Sequence, residues 1–224
     1  MRTPVLWTIG LLLAAAAPAV AAEPAVTTDE QKTFYALGLA IGQNLAVFSL
    51  TEAELELVKV GLADAVLNRT RKAELATFMP KLQELQRERQ TAAATVEKKA
   101  GQAFLDKAAA EKGATRTSSG MIVSVIKPGN GASPKPGDAV KVHYHGTLTD
   151  GTVFDSSVQR GEPATFPLTG VIPCFSEGLQ QMKVGGKSKL VCPPNLAYGD
   201  RGAPPRIKPG ATLMFEIELI DIVK

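Results

Sequence analysis

Residues 140–157, VKVHYHGTLTDGTVFDSS, decide how the second half of this chain folds. They begin with strict alternation. Val140, Val142 and Tyr144 fall on one side and Lys141, His143 and His145 on the other, the period-two pattern of a half-buried strand. Asp150-Gly151 predicts a two-residue turn. The strand that follows carries Phe154 and Asp155 together. An aromatic beside a carboxylate at a strand end points to a site, because a carboxylate there must find hydrogen-bond partners or it costs stability.

Outward from this stretch the composition stays strand-like and rich in Gly and Pro. Met121 to Lys127 reads as a strand, followed by turns at Pro128–Gly131 and Lys135–Asp138. Downstream come a loop at Gln159–Pro163, a short strand at Thr165–Leu168 and one short amphipathic helix at Ser176–Met182 with Leu179 and Met182 inward. After a turn at Lys183–Gly186, a strand at Lys187–Cys192 puts Ser188, Leu190 and Cys192 on one face, and Thr212–Val223 forms a long last strand. One helix against several antiparallel strands is an α+β layer.

The first half is different. Phe34, Leu37, Ile41 and Leu45 recur at helical spacing after a leader ending near Gln31, with Gly38 and Gly42 beside them. Small residues so placed let another helix approach, either within the chain or from a second copy. Thr51-x-x-Glu54 is a capping box. It opens a helix with Leu55, Val58, Leu62, Ala65 and Val66 on one side, ending at Asn68. The pair is too small to hold a core alone. A third helix starts near Ala73, with Pro80 placed to kink or restart it, and runs to about Lys112. Its large apolar residues past Pro80 are sparse, which predicts a solvent-exposed connecting helix. Thr115–Gly120 reads as a polar linker.

With 224 residues and a net charge of +3, the chain has room for two small domains and too little charge to argue for nucleic acid. Its two histidines, His143 and His145, read as surface residues, and no cluster has metal-ligand spacing. Residues 1–22 have the pattern of a cleaved signal peptide: Arg2, an apolar run from Val5, and small residues near Ala22. Export would place Cys174 and Cys192 in an oxidising compartment. A bridge between them and two small buried thiols are both open readings.

VHYHGTLTDGTVFDSS, then GVIPCFSEGLQQMKVGGKSKLVCPPNLAYG, then PGATLMFEIELIDI resembles the FKBP-type peptidyl-prolyl cis/trans isomerases over residues 115–224. The helical first half with its signal peptide resembles the family's Mip/FkpA-like periplasmic subgroup. The resemblance implies four segments: signal peptide 1–22, helical dimerisation domain 23–72, long connecting helix 73–114, isomerase domain 115–224. The last is expected to be an antiparallel half-barrel sheet wrapped on one short helix. The implied activity is isomerisation of X–Pro bonds in unfolded or partly folded exported proteins, with no cofactor and no nucleic-acid partner. A homodimer through the N-terminal helices, chaperone behaviour and macrolide inhibitors are implied as well. Association with the outer membrane is left open. A chaperone or binding protein with vestigial isomerase activity is the rival reading.

The resemblance also assigns residues. Asp155, Tyr198, Phe154 and Ile172 match the catalytic positions, with the Ile172 N–H meeting the substrate carbonyl. Tyr144, Val171, Phe175, Phe215, Phe166 and Ile207 match the walls of the proline pocket. Phe175 stands where a tryptophan floor is usual and Ala164 where many members carry an aromatic. Ala203 and Pro204-Pro205-Arg206 alter the last loop. A smaller floor is expected to lower activity somewhat and macrolide affinity more.

Overall fold

The structure is a computed structural model describing residues 25–223. The expected signal peptide, residues 1–22, lies outside them. The chain divides into two compact units, and the boundary falls inside the first helix, after Leu39.

Helix α1 spans Asp29–Leu45, so it starts inside the stretch expected as a leader. Gln31 Oε1 accepts the N–H groups of Thr27 and Thr28 at 2.9 and 3.0 Å, while Thr28 Oγ1 accepts the Gln31 N–H at 3.2 Å. This reciprocal capping was legible as Thr28-x-x-Gln31. Phe34, Leu37 and Leu39 are exposed, and space is open around Gly38 and Gly42.

Helix α2 covers Glu52–Val66 and has the expected capping box between Thr51 and Glu54. Asn68, at φ 53°, follows its end. Helix α3 runs unbroken over Leu75–Ala109, 35 residues with Pro80 inside. Pro80 has no N–H, so it only deprives the Ala76 carbonyl of its partner early in the helix; it does not restart it.

The expectation of an exposed connecting helix fails for the second half of α3. Ala94, Gly101, Leu105 and Ala108 are buried. Leu105 and Ala108 form a small core with Ile122 and Val191 of the sheet, and the Thr212 side chain lies against Gly101. Small residues on this stripe let the helix come close. Its apolar residues were sparse because contact through Ala and Gly needs no large side chains.

The sheet comprises β1 Ala114–Arg116, β2 Ile122–Lys127, β3 Ala139–Leu148, β4 Val153–Ser156, β5 Ala164–Pro167, β6 Lys187–Cys192 and β7 Leu213–Val223. The order is β1-β2-β6-β7-β3-β4, with β5 on β3, and every pairing is antiparallel. Part of the expected polar linker is therefore the edge strand β1, pairing Thr115 with Val123. The hairpin between β3 and β4 closes at Leu148 and Thr152 around three residues, 149–151, rather than two, since Leu148 N–H donates to Thr152 O and Gly151 N–H to Leu148 O. Gly151 takes the left-handed position, φ 86°, that this loop requires.

The expected loop at Gln159 contains one helical turn, α4 Ser157–Arg160. The single amphipathic helix α5 spans Pro173–Gln180, three residues earlier than expected at its start. Pro173 at the first turn presets φ and needs no N–H partner, a signal outweighed in the sequence by Ser176. Leu179 and Met182 are buried as expected. The main core lies between α5 and the sheet and includes Val140, Val142, Leu179, Leu190, Leu213, Ile217 and Leu219.

Candidate functional site

Strand β3 builds the site from its inward face. Val140, Val142, Tyr144 and Gly146 are buried in alternation. Tyr144 pairs with Ile217 and Gly146 with Phe215 across β7, and Gly146 with Asp155 across β4. Gly146 matters because a Cβ there would lie 2.7 Å from the Phe154 ring and 3.1 Å from the Phe215 ring. Its bare backbone lets those rings meet edge to face, centroids 5.5 Å apart.

Helix α5 supplies the opposite wall. Phe175 sits edge-on to Tyr144, Phe166 and Phe215, with centroids at 5.8, 6.1 and 5.3 Å, and Tyr144 meets Phe166 at 5.8 Å. The five rings thus form one connected cradle. Val171 and Ile172 are half-buried on its edge, and Ile207 is buried in the same core. Ile172 caps α5: its carbonyl accepts from Phe175 and Ser176, and among the described residues no hydrogen bond takes up its N–H. Cys174, beside Phe175, is bonded to Cys192 at the end of β6, Cα atoms 5.7 Å apart, which ties the helix to the sheet.

Tyr198 stands apart from the rings. It is 41 % exposed on the loop after Pro194–Leu196, its carbonyl accepting the Gly202 N–H at 3.1 Å. The resemblance matches it to a catalytic position, but its ring is not among those that meet in the cradle.

Asp155 is held from two sides. Tyr144 donates its hydroxyl hydrogen to Oδ2 and Arg160 donates to Oδ1, both at 2.5 Å. Arg160 also donates to the Tyr144 oxygen at 2.9 Å and lies over its ring. Burial pushes the Asp155 carboxyl up, but the Tyr144 hydrogen bond and the Arg160 bond and charge outweigh it, so the group sits below its ordinary value. Burial first, then the bond to Asp155, raises Tyr144. The bonds to Tyr144 and Asp155 raise Arg160. Every proton in this trio is therefore fixed at neutral pH.

Sequence reasoning missed Arg160 and Gly146. Ser156 caps α4 by accepting the Gln159 N–H at 3.1 Å, and Ser156-x-x-Gln159 is itself a capping-box pattern. That signal would have turned the expected loop into a helical turn and brought Arg160 back towards Asp155. The histidines face away from Tyr144 as expected but are half-buried, not surface residues. His143 Nδ1 lies 3.2 Å from Ser157 Oγ and His145 Nδ1 2.9 Å from Ser156 Oγ. Among the described residues no group of three or more potential ligands could hold a metal ion, and no helix is long and apolar enough to cross a membrane.

The family model for the FKBP-type peptidyl-prolyl cis-trans isomerase matches residues 131–220, and that for the domain amino-terminal to it matches residues 30–125. The FKBP-type peptidyl-prolyl cis-trans isomerase FkpA of Escherichia coli K12 is 41 % identical over 224 residues, covering 93 % of this chain and 82 % of its own. The peptidyl-prolyl cis-trans isomerase Mip of Coxiella burnetii is 35 % identical over 225 residues, covering 96 % and 95 %. The crystal structure of E. coli FkpA superposes with a TM-score of 0.65 at 36 % identity, covering 88 % of this chain and 98 % of that one. The chain belongs to the FKBP-type peptidyl-prolyl cis-trans isomerases, in the group of FkpA and Mip.

Proposed function

We propose that this isomerase acts outside the cytoplasm, as a homodimer, on X–Pro bonds of unfolded or partly folded proteins, with chaperone activity of its own. The observation that carries the catalytic part is the cradle of Tyr144, Phe154, Phe166, Phe175 and Phe215 with the Asp155–Arg160 pair at its edge.

Rotation about X–Pro is slow because amide resonance sets a barrier of about 20 kcal/mol. Twisting the bond out of plane removes the resonance and its charge separation. An apolar cradle around the prolyl ring therefore favours the twisted amide over the planar one. Phe154, Phe175 and Phe215 hold the ring, Tyr144, Phe166, Val171 and Ile207 line it, and the Ile172 N–H receives the neighbouring carbonyl, with Tyr198 at the rim. Asp155 organises the wall instead of moving a proton, since Tyr144 and Arg160 already occupy its oxygens. No covalent step is needed.

Export is supported by the sequence of residues 1–22 and by the relatives' group. The chaperone and dimer readings are supported by apolar surface on the helices. Leu57, Val60, Ala65, Leu75 and Phe78 line a hollow of about 560 Å³, and Leu57, Val66 and Leu75 are exposed. The test is proline-limited refolding of a model substrate with catalytic amounts of residues 23–224. Acceleration is expected, and a rate unchanged from the uncatalysed about 10–100 s rejects isomerase function in favour of a chaperone alone. Suppressed aggregation at stoichiometric ratios would report the chaperone activity separately.

A further inference from the structure

The first turn of α5 carries more of the site than so short a helix can hold by itself. Phe175 is the hub of the cradle, its ring meeting those of Tyr144, Phe166 and Phe215. A shift of this one side chain would leave two separate pairs, Tyr144 with Phe166 and Phe154 with Phe215. Ile172, whose N–H is to receive the substrate carbonyl, stands at the N-cap of the same turn. Yet α5 has only 8 residues, and isolated helices below about 12–15 residues are marginal in water. No side chain caps its start, which leaves its first N–H groups without an anchor.

Two contacts with β6 fix α5 at different heights. Cys174 and Gly178, one turn apart on the helix, meet Cys192 and Leu190, two residues apart on the inward face of the strand. At Gly178 the approach is so close that a Cβ would run into the Leu190 side chain, which seats the middle of the helix. Ser119 Oγ donates to Glu177 Oε1 at 3.0 Å, also beyond the first turn, and Leu179 and Met182 anchor the far end in the core. The first turn is tied by the covalent bond from Cys174 to Cys192. Cys192 pairs with Leu213 on β7, two residues before Phe215. The bond thus joins the turn that bears Phe175 to the strands that bear one of its partner rings.

Resting on the site proposed above, we propose that the Cys174–Cys192 bond is a positioning element of the isomerase: it holds the uncapped first turn of α5 so that Phe175 and the Ile172 N–H keep the places the twisted amide requires. Both cysteines are 0 % exposed, so the bond acts through the wall and not by touching substrate. A misplacement of about 1 Å is enough to slow a reaction that depends on position. Loose binding of an apolar ring tolerates such a shift, whereas complementarity to the out-of-plane amide does not. Loss of the bond therefore lowers kcat and changes KM little.

The experiment replaces both sulfurs at nearly constant volume, Cys174→Ala with Cys192→Val, in residues 23–224. It measures kcat and KM by NMR exchange on the peptide Ala-Leu-Pro-Phe, well below the unfolding transition. The expected result is a fall in kcat of about three- to tenfold with KM within about twofold. Amide exchange should quicken about tenfold or more at Phe175 and Ser176, whose N–H groups bond to the Ile172 carbonyl, and stay level at Gln181 and Met182. Val191→Ala, which loosens β6 from its other face, should lower stability and leave kcat unchanged. An unchanged kcat in the folded double variant overturns the proposal and makes the bond purely stabilising. A matching fall in kcat for Val191→Ala overturns it too, by tying the loss to stability alone. So does exchange in the parent protein already about tenfold faster at Phe175 and Ser176 than at Gln181 and Met182, a measurement that needs no variant to fold. A parent protein that fails to accelerate the peptide rejects the site itself, and this role with it.

Discussion

The sheet domain and the α2–α3 region treat the same side chain in opposite ways. Leu213, at the start of β7, is 0 % exposed, packed between sheet and helix; Leu57, on α2, is 74 % exposed. The strands and α5 finish a core of their own, in which Val140, Val142, Leu190, Leu213, Ile217 and Leu219 are buried together with Leu179. Helix α2 and the first half of α3 present Leu55, Leu57, Leu62, Leu75 and Phe78 to solvent. Contiguous exposed apolar surface of this kind marks an interaction site rather than a finished fold. A domain that completes its own core can hold a geometry for catalysis, whereas surface left open is available to a second copy or to a client.

The sharpest test makes one substitution in both places. Leu213→Ala should cost about 2–5 kcal/mol, the transfer energy plus a cavity, read by denaturant unfolding of residues 23–224. Leu57→Ala should cost under about 0.5 kcal/mol at micromolar concentrations if the surface is free. A loss above about 2 kcal/mol that depends on protein concentration would show a second copy covering it, and light scattering should then give twice the monomer mass.

Next in size, Asp155→Asn should lower kcat/KM by about tenfold, as expected for loss of charge-assisted hydrogen bonds to Tyr144 and Arg160. It also carries a pH signature. Asp155 titrates below its ordinary value in the folded chain, so its stabilisation is fully present above the unfolded value of about 3.9 and is lost as pH falls through the lower, folded value. The stability gap between the parent and Asp155→Asn should stay level from pH 7 to about 5 and close in stronger acid. A gap that widened on acidification would contradict the Tyr144–Asp155–Arg160 geometry.

In the helical region Thr51→Ala removes the acceptor for the Glu54 N–H and should cost about 1 kcal/mol, visible as reduced helicity on heating. Smallest is Lys98→Gln, which breaks the ion pair to Asp200. It is expected to cost about 0.2–1 kcal/mol, read by denaturant unfolding, since α3 then holds the segment around Asp200 through the Glu97–Lys208 pair.

The buried half of α3 also changes how the isomerase region is to be isolated. Cutting at residue 115 would strip Leu105 and Ala108 from Ile122 and Val191 and remove the first residue of β1. A piece prepared that way should be less stable than the same region within the whole chain.

The pocket roles of the Phe and Tyr residues came only from the family resemblance, whereas alternation in residues 140–145, the place of the Asp-Gly turn and the Thr51 capping box were legible, because they rest on local periods and on short-range hydrogen bonding that neighbouring residues specify. The same holds, unused, for Thr28-x-x-Gln31 and Ser156-x-x-Gln159. What could not be read was which surfaces meet. Nothing in the spacing of Ala94, Gly101 and Ala108 said that α3 would lie against the sheet. Nor could the sequence say that the Phe154 carbonyl would accept from Arg206, 52 positions away, where the β3–β4 register shifts. Local sequence determined the elements and the face each turns inward. Tertiary structure alone decided the approach of small-residue surfaces and the partners of unpaired backbone groups, because those energies depend on distances that exist only once the chain has closed.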